Sequence, residues 1–520
     1  MEKRSATAMI VVCLLLVLLS LVVVGCGGGA TPEPTQAPTS PPESTAAPQE
    51  EEVQAAAAEH EETMGALTGD PVRGGLLYDM WWAVAAAEEA DEHEHEGEGE
   101  HEHELAGPTT DHPLWSTQTT NTRSGEDTWR CKECHGWDYK GVDGAYGSGS
   151  HMTGFVGVIQ MAGTDANEIV AALKGGTNPD HDFSTVMGDQ GLTDLAVFIS
   201  EALIDTDELV KRDKTSQGDA AKGQSLFEDV CAHCHGPGGN AINFGSLDDP
   251  EFLGHVAPDN PWEFIHKVRF GQPGWPMPSG ISNDWTNEDV ADVLAYAQGF
   301  ATEPALSGGG KLYDMWWEVL GVDAPAEDQP LWATQTTNTQ SGADTWRCKE
   351  CHGWDYKGVD GAYGSGSHMT GFTGILSAAS MSADELMAWL DGRTNTDHDF
   401  SQVMDEAALN ALVTFIQQET TDIAAYVNND KTVNGDPTHG RQLFDGTCAA
   451  CHGVDGKNMN FGNEDEPEYV GTIAADNPWE FFHKASFGQP GVPMPAGRAL
   501  GWTLEDVADL LSFAQTLPRE

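Results

Sequence analysis

The sequence predicts a helical chain built from two copies of one long unit, and two observations carry that reading. Whole blocks return at a fixed distance: the segment around Trp115 that runs into TWRCKECHGWDYKGVDGAYGSGSHMTGF reappears around Trp332, 217 residues on. At the same offset, NPWEFIHKVRFGQPGWPMP from Asn260 returns as NPWEFFHKASFGQPGVPMP from Asn477. Apolar residues near the end of each unit then recur at helical intervals, with Val290, Val293, Leu294 and Ala297 sharing one face and Val507, Leu510, Leu511 and Ala514 another. An earlier block, LYDMWW, begins at Leu77 and again at Leu312, 235 residues apart. The 18 additional residues of the first copy fall around the acidic, histidine-bearing tract Glu88–Glu104. Units of about 70–303 and 304–520 follow, each long enough for two domains.

At the N-terminus, Lys3 and Arg4 precede an apolar run from Met9 to Val24 that ends in Val23-Val24-Gly25-Cys26. A basic start and a short apolar stretch describe a secretory signal, and the run is shorter than the roughly 20 residues a bilayer span needs. The ending resembles a bacterial lipoprotein signal. That resemblance implies removal of residues 1–25 and lipidation of Cys26; an uncleaved signal anchor is the alternative. Either places the body of the chain on the extracytoplasmic side of the cell membrane. Residues 26–69 are rich in Pro, Thr, Ser, Ala and Glu with few large apolar side chains, the composition of a disordered tether.

Charge narrows the partners. Of 520 residues, 83 are acidic and 25 basic, a net charge of -58. Nucleic acid and anionic lipid surfaces both demand a positive face, so neither is an expected partner of the folded body.

Beyond Cys13 and Cys26 the chain has eight cysteines in four pairs, Cys131/Cys134, Cys231/Cys234, Cys348/Cys351 and Cys448/Cys451. Each pair is followed at once by a histidine: His135, His235, His352 and His452. C-x-x-C-H is the attachment motif of c-type haem, the two thiols forming thioethers and the histidine meeting the iron. Structural disulfides, zinc, iron–sulfur clusters and thiol–disulfide chemistry explain neither the invariable histidine nor the fourfold use. Four covalently bound haems are expected, each proximal imidazole donating its Nδ1–H to a backbone carbonyl.

The segments GDAAKGQSLFEDVCAHCHG from Gly218 and GDPTHGRQLFDGTCAACHG from Gly435, with the closing segments from Thr286 and Thr503, resemble class I c-type cytochromes. That resemblance implies an all-α fold of four tandem cytochrome c-like domains in two duplicated di-domain units, at 70–205, 206–303, 304–421 and 422–520. It also implies distal methionines at Met277 and Met494, each 42 residues past its proximal histidine and bracketed by prolines. The first and third domains diverge, because their motif follows a long TQTTNT stretch. They are expected to carry an extra N-terminal segment that includes GGLLYDMWW. For them, position before the closing helix favours Met187 and Met404 as distal ligands over His181 and His398, with the pair His151/Met152 and its copy behind. His266 and His483 are expected as packing residues or propionate partners, and Arg130 and Arg347 are candidates to pair with a propionate. The tract with His93, His95, His101 and His103 is read as an exposed loop.

Four haems, a tether and no other catalytic constellation predict an electron carrier and no enzyme: a membrane-tethered tetrahaem cytochrome working between redox partner proteins of a respiratory chain. The alternatives are a haem-bearing subunit of a membrane oxidoreductase complex, or a haem enzyme with one open iron site acting on a small molecule.

Overall fold

Where the first and closing helices of each region cross, glycine lets their backbones touch, and these contacts organise the structure. The computed structural model describes residues 67–93, 107–463 and 466–520. The expected signal, Cys26, nearly all of the tether and most of the acidic histidine tract lie outside the described residues. Among the described residues no helix is long and apolar enough to cross a membrane.

The described elements are helices and isolated β-bridges. Helix α1 (Pro71–His93) is followed by α2 (Cys131–His135), α3 (Ala166–Leu173) and α4 (Asp189–Val197). Next come α5 (Ala220–Leu226), α6 (Ala232–His235), α7 (Leu253–Asp259), α8 (Pro261–Phe270) and α9 (Asn287–Ala297). The second unit repeats this order: α10 (Gly309–Leu320), α11 (Cys348–His352), α12 (Ala383–Leu390) and α13 (Glu406–Thr414). It closes with α14 (Pro437–Leu443), α15 (Ala449–His452), α16 (Val470–Asp476), α17 (Pro478–Phe487) and α18 (Leu504–Ala514). Capping boxes start α9 at Thr286/Asp289 and α18 at Thr503/Asp506, each threonine and aspartate satisfying the other's free backbone N–H.

A Cβ added at Gly223 of α5 would stand 1.9 Å from the carbonyl oxygen of Asp292 in α9, and one at Gly440 of α14 the same distance from that of Asp509 in α18. Gly74 of α1 meets the Asp194 carbonyl of α4 in the same way, at 2.2 Å, and Gly309 of α10 meets that of Ala411 in α13 at 2.3 Å. The expected extra N-terminal segment of the first and third regions is therefore corrected. It is their ordinary first helix, separated from the C-x-x-C-H turn by a long insertion. The sequence carries the signal, since GDPVRGGLLY from Gly69 matches GDAAKGQSLF from Gly218, with Tyr78 and Phe227 both fully buried.

Four apolar clusters form the core. The first gathers Leu77, Tyr78, Met187, Leu192, Leu195 and Phe198; the second gathers Phe227, Ile265, Val290, Val293 and Leu294. The third and fourth repeat them in the second unit. Neighbouring clusters interlock: Trp137, two residues after His135, packs in the second, and Phe270 of α8 packs in the first.

Candidate haem-attachment sites

Each C-x-x-C-H motif lies on a helical turn that stops at the next residue. Gly136, Gly236, Gly353 and Gly453 all take φ near +75° (77°, 75°, 77° and 75°), a conformation that costs glycine nothing. The histidine thus ends its helix with the ring free of a following turn. All eight cysteines are unpaired and partly buried. Burial pushes the thiols of Cys131, Cys134, Cys231, Cys348, Cys351 and Cys448 up to about 12. Such thiols are poor redox nucleophiles while unligated.

The second and fourth motifs continue a helix. In the second region α5 passes through a π-helical turn at Phe227–Cys231 directly into α6, and in the fourth α14 passes through Phe444–Cys448 into α15. Wide turns of this kind cluster at functional positions, and here the extra residue falls at the first cysteine. The first and third motifs start afresh after a short 3-10 turn, at Gly125–Trp129 and Gly342–Trp346.

In the first and third regions two imidazoles face one another. His135 donates from Nδ1 to the Val156 carbonyl (2.7 Å) and His352 to that of Thr373 (2.6 Å), which leaves Nε2 directed away from the backbone. The ring of His181 lies 6.2 Å from that of His135, and the ring of His398 lies 6.3 Å from that of His352. His398 is oriented by its own Nδ1, 3.0 Å from the Trp389 carbonyl. Burial lowers His135 and His352 to about 4 and lowers His181 and His398 as well, so all four are neutral, the form that ligates. An apolar cavity opens between Cys131, Cys134, His135 and His181, walled by residues such as Phe155 and Leu195. The residues fit a haem.

Met187 and Met404, the expected distal residues of the first and third regions, lie in the apolar core. Met187 is 8% exposed, sits in the first core cluster and does not line the cavity. Its backbone N–H closes a turn onto the Phe183 carbonyl (2.8 Å), tucking the side chain beneath α4, where its Cγ would lie 2.8 Å from a Cβ on Gly191. Met404 is buried in the third cluster. Of the other candidates, His151 is exposed with its ring edge-on to Tyr146, and the Met152 carbonyl accepts the Thr120 hydroxyl.

The second and fourth regions differ on the proximal side. Nδ1 of His235 and of His452 is buried without a partner, so the expected carbonyl bond is present at His135 and His352 only. Phe244 and Phe461 approach these rings at 6.0 and 5.9 Å. Met277 and Met494 are half-buried on the proline-flanked loops between α8 and α9 and between α17 and α18.

Other candidates take structural partners. The Arg130 guanidinium pairs with Asp79, whose second oxygen accepts Lys267 of α8 at 2.7 Å. Arg130 Nε also donates to the Asp79 carbonyl (3.0 Å), taking an acceptor from the helix where α1 bends at Met80. Arg347, Asp314 and Lys484 repeat the set. Burial alone would raise the Asp79 carboxyl, but Lys267 and Arg130 hold it well below the usual range. The propionate role expected of Arg130 and Arg347 is thus replaced by an internal ion pair. His266 is fully buried with both nitrogens occupied: Nδ1 lies 2.8 Å from the Tyr139 hydroxyl and Nε2 2.9 Å from the Gly75 carbonyl. Because a carbonyl only accepts, Nε2 carries the proton and Nδ1 accepts from Tyr139. His483 does the same with Tyr356 and Gly310. Both are packing residues.

With the geometry in place, the comparisons can be read. Residues 218–296 match the family described as cytochrome C oxidase, cbb3-type, subunit III, and residues 437–518 match cytochrome c. The chain therefore contains a cytochrome-c-like region and a region like that oxidase subunit, in an all-α structure. No curated protein matches it. Among solved structures, the as-isolated form of thiosulfate dehydrogenase (TsdBA) from Marichromatium purpuratum is 15% identical, with 74% of this chain and 86% of that chain covered and a TM-score of 0.18. A likeness of that size carries no argument about activity.

The expectation that the chain is no enzyme is corrected. His439, Asp506 and Asp509 bring ligand atoms within 4.8 Å of one another, a grouping able to hold a metal ion. His439 occupies the place of Arg73 and Lys222 in the matching segments, where each cation pairs with the aspartate of its closing helix, Asp194 and Asp292. His439 pairs with Asp509 at 2.9 Å.

Proposed function

We propose that this chain is a four-haem c-type redox protein, the haem-bearing part of an extracytoplasmic oxidoreductase. Its four domains span 70–205, 206–303, 304–421 and 422–520, and thioethers form at Cys131/Cys134, Cys231/Cys234, Cys348/Cys351 and Cys448/Cys451. The observation that carries this reading is the fourfold helical turn that joins two partly buried thiols to a partly buried histidine. Bound haem supplies reversible one-electron chemistry. The chain's residues do the rest. His135, His235, His352 and His452 hold the proximal face; His181 and His398 are the distal residues of the first and third domains, and Met277 and Met494 those of the second and fourth. Two imidazoles lower the potential relative to His/Met, so the chain carries two potential classes.

Turnover of a small molecule falls to the second or fourth domain. There the distal side is a single methionine on a loop whose neighbours, Trp275 and Val492, are exposed, whereas a second histidine stands near the proximal one in the first and third domains. Export and a lipid at Cys26 hold the protein at the membrane beside its redox partners.

Intact mass of the mature protein tests the first claim: four haem masses above the polypeptide, retained on denaturation, are expected, and two would refute it. Cyanide and carbon monoxide test the second. Probe binding that Met277→Ala and Met494→Ala enhance is expected, and binding governed by His181 instead would overturn it.

A further inference from the structure

Two of the four haem-attachment turns meet across the duplication. Helix α6, which ends on His235, packs against the helical turn Phe444–Cys448 that leads into α15. Ala232, His233 and Pro237 of the first unit line one cleft with Thr447, Leu500 and Trp502 of the second. Contact reaches the motif's own backbone: a Cβ on Gly236, the residue after His235, would lie 3.0 Å from the carbonyl oxygen of Ala499. A side chain there would crowd the other unit's backbone. The corresponding position in the second unit, Gly453, faces Asn458 of its own loop at 2.4 Å, so the meeting is only approximately symmetric.

The remaining two turns dock within their own units. Trp137, next to the first motif, packs against His266 of α8, 4.9 Å between rings, and Trp354 packs against His483 of α17 at the same distance. Each unit thus seats its first attachment turn on its own second domain, and the two second domains touch through their attachment turns.

We infer that electrons cross between the duplicated units at the contact of the second and fourth attachment turns, so that the route runs first, second, fourth, third domain and not in chain order. The inference rests on the four-haem reading above. Covalent attachment is what gives the contact its consequence. Thioethers at Cys231/Cys234 and Cys448/Cys451 would tie each haem to its turn, and turns in contact would keep the two groups near one another. The exchange they would support is of one electron, the group held at His235 giving up what the group held at His452 takes. No bond is made or broken and no proton moves. The first and third domains then become the two ends of the path, where external partners deliver or withdraw electrons.

The test uses the full-length, haem-loaded mature protein. Soret circular dichroism of the wild type should give a bisignate couplet from the close pair, and magnetic resonance of the oxidised protein should show two of its haems interacting. Leu500→Arg, which puts a charged side chain into the junction away from any haem ligand, should keep four haems and their ligand spectra while losing the couplet. A wild-type protein with four haems and the spectra of four isolated centres would overturn the inference, as would a couplet unchanged in Leu500→Arg. The wild-type measurement decides even if the variant fails to fold. Fewer than four haems would instead refute the reading beneath it.

Discussion

Alanine at Met187 and, separately, at His181 should separate packing from ligation in the first domain. Met187 is 8% exposed among Leu77, Leu192 and Leu195, and deleting a buried thioether of this kind costs about 2–5 kcal/mol. The size depends on whether neighbours can fill the gap. Here one wall is the backbone of α4 at Gly191, a helix that cannot move inward without breaking its crossing with Gly74. A loss near the middle of the range, about 3 kcal/mol, follows. His181 is partly exposed, and in the haem-free chain its removal costs no more than about 1 kcal/mol, the worth of one ordinary hydrogen bond. In the loaded protein the order reverses for the spectrum. Met187→Ala should lower the denaturation midpoint with the ferric spectra of all four haems intact, and His181→Ala should convert one low-spin haem to high spin or to a new ligand set. Urea unfolding and magnetic resonance of each variant give both readouts. A Met187→Ala protein that loses a ligand signal while His181→Ala keeps every one would refute the facing-imidazole argument.

Three further outcomes follow from the geometry. His266→Phe should leave haem content unchanged yet lower stability by about 2 kcal/mol or more, because the Tyr139 hydroxyl and the Gly75 carbonyl both lose a buried partner; thermal unfolding checks it. Gly223→Ala should cost at least about 3 kcal/mol, since the new methyl meets the Asp292 carbonyl at 1.9 Å with rigid backbone on both sides; loss of soluble, haem-loaded protein is the readout. At His439 the partner Asp509 raises the imidazole above its ordinary value, so the pair contributes fully below about pH 6.5 and fades as pH climbs through the folded pKa. His439→Lys, the arrangement at Lys222, should remove that dependence, a change under about 1 kcal/mol for so exposed a pair, measured as denaturation midpoint against pH.

Much of the site was legible because its signals are local. The C-x-x-C-H turns, the closing helices at Asn287–Ala297 and Leu504–Ala514 and the middle helices at Ala166–Leu173 and Ala383–Leu390 depend on neighbours within a few residues. The first helix of the first region carries its signal as well, in Gly69-Asp70 and Gly74. It is separated from its motif by an insertion too long for a search that expects helix and motif to be contiguous. The arginines beside the first cysteines were misassigned for a related reason. Adjacency to Cys131 says where Arg130 begins, whereas the buried carboxylate that claims it, Asp79, lies 51 residues away in sequence.

The sequence by itself determined the duplication, the helical segments and the four cysteine pairs with their following histidines, because each is a pattern of spacing and residue type along the chain. Tertiary structure decided what faces those histidines and what touches them. His181 and Met187 are six residues apart on one loop, and either has the chemistry of a ligand. Which one turns toward the cavity depends on a tight turn at Phe183 that buries the methionine under α4 and on a backbone carbonyl aligned with the imidazole. The contact between the second and fourth attachment turns is a packing outcome of the same kind, joining residues more than 200 positions apart. Such choices are made by how finished helices fill space together, and no local pattern encodes them.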